Sequence, residues 1–262
     1  MSTPIIQLQS AFEHFNEYRS KLKMTTGSPE LDSIIDSIQQ GQFYLFYGTN
    51  RTILDGLAHG LLVNCVLPIK DHGFESMAMY INNTDYYQPD KSNVLSADKI
   101  ATVAKCRDID PLIAFKNIFI QIAYNESHQL AVAKQVAEFI ESKKGEDIRL
   151  LVINNLTKFF KESKDKNRAA NVLKEVLNII CKGCAKRKVA IVCTSNANIT
   201  SKGIIARPIG GTFLKHIANT IVNLKENQYS TFKATVVKHQ YVKIPKSAVL
   251  YTKKVGKIHL LF

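Results

Sequence analysis

The chain has 262 residues, 45% of them hydrophobic, and a formal net charge of +13. This length and apolar content suffice for one sizeable core and exclude the compositions of disordered, collagen-like and disulfide-scaffold chains. No apolar run approaches the roughly 18 residues of a membrane-spanning helix, and the N-terminus lacks a charged-then-apolar signal pattern, so the sequence predicts a cytoplasmic protein with no membrane contact.

In chain order, Ile5 to Leu22 has the spacing of an amphipathic helix, with Phe12 and Phe15 on one face. Short apolar runs then predict strands at Phe43 to Tyr47, Met77 to Asn82, Ile118 to Ile122, Leu150 to Ile153, Val189 to Thr194 and Thr220 to Leu224. Helical periodicity lies between several of them, as in Leu130 to Lys143 and Ala169 to Cys184. Strands alternating with helices predict an α/β fold with a largely parallel central sheet covered on both faces. Thr231 to Lys238, Ala248 to Thr252 and Ile258 to Phe262, divided by Pro245 and Gly256, read as C-terminal antiparallel edge strands.

Charge is divided unevenly along the chain. Residues 1–157 hold 14 Lys and Arg against 18 Asp and Glu, a net of −4, while residues 158–262 hold 21 against 4, a net of +17. A lysine-rich surface serves solubility in any protein, but a general compositional bias would raise lysine in both halves. The contrast points instead to a polyanion partner. Five cysteines, an odd number, suit a reducing compartment. Cys181 and Cys184 have the CxxC spacing of a zinc or redox pair, yet no second pair completes a zinc site, so packing is the better reading of them. His216 reads as a structural residue on a helix.

From Tyr47 to Pro68 the chain reads YGTNRTILDGLAHGLLVNCVLP. That keeps, without a gap, the frame of a phosphate-binding loop, roughly YGExGSGKTQLAHQLAVNVQLP. Such a loop needs glycines so that backbone N–H groups close on phosphate, a lysine to reach the terminal phosphates and a hydroxyl for magnesium. Here Thr49, Asn50, Arg51 and Thr52 lead to Ile53, with Arg51 and Ile53 where the glycines belong, Leu54 in the lysine position and Asp55 in the hydroxyl position. A carboxylate beside a triphosphate repels it.

In that frame the chain resembles the ATPase core of the RadA/RecA-like recombinases, and further segments follow in the same order. Thr26-Gly27-Ser28 with Leu31-Asp32 is similar to the family's TGS-x-x-LD, and Ala78 to Lys91, AMYINNTDYYQPDK, to xxYIDTExTFRPER. Asp110-Pro111, Asn117-Ile118, Ala123-Tyr124-Asn125 and His128-Gln129 match the stretch between the second and third core strands. Leu150 to Thr157, LLVINNLT, resembles LLIVDSLT; Ala190 to Asn196, AIVCTSN, resembles AVVVTNQ; and Arg207 to His216, RPIGGTFLKH, resembles KPAGGHILAH.

The resemblance implies a RecA-like core over residues 24–262 behind an N-terminal helical arm at residues 1–23, with no separate helical DNA-binding domain ahead of it. It places Thr84 at the catalytic glutamate, Asn154 at the magnesium-orienting aspartate and Asn196 at the sensing glutamine. Loss of these groups, with Leu54 for lysine, predicts no ATPase activity and no cofactor. The family's two DNA loops would fall at Lys161 to Ala170, offering Lys161, Lys164, Lys166 and Arg168, and at Ala197 to Arg207, offering Lys202 and Arg207. The second lacks an aromatic for base stacking, so sequence-independent contact with the backbone of single- or double-stranded DNA is expected. The lysines of the last 30 residues, Lys233, Lys238, Lys243, Lys246, Lys253, Lys254 and Lys257, would extend that track. Phe12 to Phe15 stands nearest the family's FxxA subunit-docking motif, with Phe15 in place of alanine, which favours packing over self-polymerisation.

The expected function is a non-catalytic, nucleoid-associated accessory in homologous recombination and DNA repair, with DNA and a RadA-type recombinase or another paralogue as partners. Two alternatives stay open. One is a pseudo-ATPase scaffold that binds a protein without DNA. The other is an enzyme in which Asp32, Asp55 and Asp85 rebuild a nucleotide site.

Overall fold

The computed structural model describes residues 10–85, 95–199, 206–227, 231–256 and 258–261. Helix α1 (Ala11–Ser20) leads into β1 (Lys23–Met24), α2 (Pro29–Ile35) and β2 (Ile38–Gln39), and β1 and β2 pair as a small antiparallel ribbon. Of the expected arm, residues 5–9 and the Phe15 side chain lie outside the described set.

The main chain of the fold follows as β3 (Phe43–Gly48), α3 (Arg51–Val66), β4 (Met77–Asn83), α4 (Ala97–Cys106), α5 (Pro111–Asn117), β5 (Ile118–Ala123), α6 (Glu126–Glu141) and β6 (Ile148–Asn154). Then come α7 (Lys158–Glu162), α8 (Lys166–Ala185), β7 (Ala190–Ile199), β8 (Ala206–Pro208), α9 (Gly211–Ile217), β9 (Thr220–Glu226), β10 (Thr231–Lys238), β11 (Lys246–Val255) and β12 (Ile258–Leu261). Helix starts sit where short polar side chains satisfy the free N–H groups of the first turn. Ser96, Asp110, Asn125 and Asp165 cap α4, α5, α6 and α8.

The sheet runs β12-β11-β10-β9-β3-β7-β6-β4-β5, with β8 paired antiparallel to β7. Strands β3, β4, β5, β6, β7 and β9 are mutually parallel, and β9 to β12 antiparallel. Two hydrophobic clusters fill its faces. One gathers α2, α3 and α4 with β12; the other gathers α6, α8 and α9. This is the RecA-like α/β core expected from the sequence, with the antiparallel strands at its C-terminal end.

Helix α3 lies deepest. Every residue from Ile53 to Cys65 is buried, so the helix has no solvent face. Its outer side is covered by β12, which approaches so closely that a Cβ at Gly56 would stand 1.7 Å from the His259 carbonyl oxygen. Near its C-terminal end, Asn64 Nδ2 donates to the Thr25 carbonyl at 3.1 Å. There Asp32 Oδ1 accepts from the Thr26 N–H at 2.8 Å and Oδ2 from the Thr25 hydroxyl at 2.5 Å. The TGS-x-x-LD signature therefore ties α2 to the turn before it.

Lys238, placed by its spacing on an exposed strip, is committed internally. Its Nζ donates to the carbonyls of Lys215, His216 and Ala218 at 2.9, 3.1 and 2.6 Å, capping the C-terminus of α9. Lys238→Met is expected to lower stability by about 1.5–3 kcal/mol, read as a reduced urea midpoint at unchanged slope. Lys233, Lys243, Lys246, Lys253 and Lys254 are exposed, whereas Lys257 lies outside the described residues.

Candidate functional site

In an open α/β sheet, ligands meet the C-terminal ends of the parallel strands. Here those ends bring together Gly48, Asn82, Asn154 and Thr194, with the N-terminus of α3 above them. The groups at that point bind one another. Arg51 Nη2 lies 2.7 Å from Asp55 Oδ1, one helical turn on. The Asn154 Nδ2–H donates to the same oxygen at 2.8 Å, and the Thr194 hydroxyl donates to Asn154 Oδ1 at 2.5 Å. Arg51, Asp55, Asn154 and Thr194 thus form a closed chain spanning α3, β6 and β7.

The N-terminus of α3 is closed by the same means. Asn50 Oδ1 accepts the Ile53 N–H at 3.3 Å, and Asn50 Nδ2 donates to Glu226 at 2.9 Å. A helix start can receive phosphate only through such N–H groups. Thr49 and Thr52 are exposed beside it, whereas Leu54 is fully buried in the core. Thr84 is buried, and its N–H donates to the Ala123 carbonyl at 3.0 Å. The side chains at this helix start therefore do not fit a magnesium-bound nucleotide: Arg51 is paired with the carboxylate a metal would need, Asn50 takes the Ile53 N–H, and buried Leu54 offers no charge.

Burial pushes the Asp55 carboxyl above its usual range, opposed by Arg51 and by the Asn154 hydrogen bond. One turn deeper, His59 is buried with its ring edge-on to Tyr80 at 5.9 Å. Burial, with the charges of Lys99 and Arg51 nearby, lowers its pKa to about 3. Among the described residues, several atoms around this network have no partner: Arg51 Nε, Asp55 Oδ2, His59 Nε2, Asn82 Nδ2, Asn83 Oδ1 and Asn155 Oδ1. Asp85 pairs instead with Lys158 at 2.8 Å. Asp32 sits toward the other end of α3, so the structure does not gather Asp32, Asp55 and Asp85 into one site.

The expected DNA segments depart from loops. Asp165 caps α8 so that it begins at Lys166, which leaves only Ser163 to Asp165 as a turn after α7. At the described ends of the second segment β7 and β8 pair antiparallel, Asn198 with Arg207, while residues 200–205 lie outside the described set. Lys161, Lys164, Lys166, Arg168 and Arg207 are all exposed. Lys202 lies outside the described residues. The Lys166 ammonium also donates to the carbonyls of Phe160 at 3.0 Å and Lys161 at 2.7 Å, which ties it to the end of α7.

The cysteines behave as core residues. Cys184 and Cys193 are buried, Cys181 is half-buried, and burial raises the Cys181 thiol to about 11. Among the described residues no three His, Cys, Asp or Glu side chains are placed to hold a metal ion, and no helix is long and apolar enough to cross a membrane.

Sequence reasoning missed the internal pairing. The i,i+4 spacing of Arg51 and Asp55 was a visible signal for it. It also missed Phe160 and Phe213, half-buried beside the basic segments.

Residues 18–253 match the family model described as Rad51. Among curated proteins, the DNA repair protein RAD51 of Saccharomyces cerevisiae is 28% identical over 132 residues, 50% of this chain and 31% of that protein. The DNA repair protein RAD51 homolog B of Zea mays is 30% identical over 120 residues, 45% of this chain and 33% of that protein. Each match thus spans about a third of the relative's own length.

Proposed function

The chain belongs to the Rad51 family, and from that premise we propose that it is a non-catalytic paralogue that binds DNA without ATP and serves as an accessory in homologous recombination and DNA repair. The observation that carries the reading is that Arg51, Asp55 and Asn154 bind one another at the strand ends while Lys161, Lys164, Lys166, Arg168 and Arg207 stay exposed. Lys161, Lys164, Arg168 and Arg207 offer their charges to phosphate, and Lys166 adds a charge from a fixed position. Contacts of this kind release counterions and carry no base information.

The test is the combined charge reversal of Lys161, Lys164, Arg168 and Arg207 to Glu, with DNA affinity followed by fluorescence anisotropy across a salt series. Each phosphate contact removed should lower the salt slope by about 0.7 on single strands or 0.9 on duplex, and affinity should drop at least tenfold near 0.1 M salt. Equal binding by the variant and the parent would refute the placement. ATP with magnesium should leave the parent's binding curve unchanged.

One observation favours a second reading, a scaffold that holds a protein partner such as a recombinase. Among the described residues β5 ends the sheet, with Ile120 39% exposed on it and Leu112 61% exposed on the adjoining α5. An open edge with apolar neighbours accepts an added strand. Absence of DNA binding at low salt in the experiment above would favour this reading.

A further inference from the structure

Beside the two basic segments lies a cavity of about 310 Å³ between α7, α8 and α9. Its walls are the Phe160 and Phe213 rings, Ala170 and Leu173, with Lys174 and Gly211 at the mouth. Each ring carries a lysine over its face. Lys166 Nζ is 5.7 Å from the Phe160 centroid, and Lys174 Nζ is 6.0 Å from the Phe213 centroid. The floor is made possible by Gly210 at φ +114°, where a Cβ would meet Leu214 and Thr157 at 2.9 and 3.0 Å. Gly211, at φ +74°, has nothing within 4 Å of the position a Cβ would take, so that side stays open.

We propose that this slot receives an unstacked base of single-stranded nucleic acid, an inference that rests on the DNA-binding reading above. The two rings line the slot and supply the aromatic surface on which a base would stack. Lys174 lines the slot, and exposed Lys161, Lys164 and Arg168 lie on the stretch of chain between its wall residues Phe160 and Ala170, with charge that attracts the flanking phosphates. The lining is nearly all apolar and has little with which to read a base edge, so the slot takes any base by its face. A duplex keeps its bases stacked inside and must be unpaired before one can enter. The slot therefore gives the protein a preference for single strands, which the lysines and arginines alone do not.

The experiment compares two labelled oligonucleotides of equal length, one of thymidines and one of abasic sugar-phosphates, by fluorescence anisotropy. Both carry the same charge. The parent should bind the thymidine strand about 5- to 150-fold more tightly, the range of one stacked base, with similar salt slopes. The paired substitutions Phe160→Leu and Phe213→Leu keep an apolar lining and remove the rings, and should bring the thymidine strand down to the abasic level. Equal binding of both strands by the parent would overturn the slot and leave the electrostatic reading standing. A preference that survives the leucine substitutions would also overturn it. Binding of neither strand would overturn the DNA reading and the slot together.

Discussion

Substituting lysine for Leu54 is expected to unfold the domain rather than restore nucleotide binding. Leu54 is fully buried, within a helix that has no solvent face. An ammonium placed there has no carboxylate of its own, since Asp55 is already engaged by Arg51 and Asn154. A buried lysine neutralises at a cost of about 3–5 pKa units, on the order of 4–7 kcal/mol, before the lost leucine packing is counted. That is comparable to the whole stability of an ordinary domain. Urea unfolding followed by circular dichroism, with titration of a fluorescent ATP analogue, measures both halves of the claim. A folded variant with the parent's midpoint that binds the analogue with magnesium would show that the pocket is still a nucleotide site.

The second large effect concerns acid. His59 titrates near 6.5 when unfolded and near 3 in the folded protein, so between those values the unfolded chain binds more protons. Its contribution to stability is therefore complete above pH 6.5 and is lost as pH falls toward 3. At about 1.4 kcal/mol per unit the loss is on the order of 4–5 kcal/mol. His239, whose folded pKa is also lowered by burial, acts in the same direction. Asp32 and Asp55, both raised by burial, act oppositely, because they bind protons more readily when folded and so lose stability as pH rises. Denaturant unfolding of the parent and of His59→Leu between pH 7 and 4 is the check. The acid slope should be steep in the parent and largely flattened in the variant; equal slopes would mean that His59 is not the group being titrated.

The strands were legible because a strand buried on both faces must be apolar along its whole length, as Phe43 to Tyr47 and Leu150 to Ile153 are. Thr231 to Lys238 was legible for the complementary reason: its alternation matches one buried and one exposed face, and the strand bounds agree. Site chemistry was an expectation drawn from the resemblance, which set Leu54 and Asn154 at ligand positions; a linear sequence does not show that Asn154 turns its amide to Asp55 across 99 residues. The segment after β6 was expected as a loop because the family resemblance places one at Lys161 to Ala170, whereas the carboxylate of Asp165 is a local instruction that starts a helix at Lys166. Phe160 and Phe213 lie about 50 residues apart and line one cavity only because α9 returns against α8.

The contact between Gly56 and His259 also sets the order in which the protein can fold. The two residues lie roughly 200 positions apart, and closing so long a span is slow compared with forming a local helix or hairpin. A chain in which α3 forms before β12 docks leaves that helix's outer apolar side uncovered and associates readily with its neighbours. Refolding yield should therefore depend on protein concentration more steeply than native stability suggests, and dilution or a chaperone should rescue it.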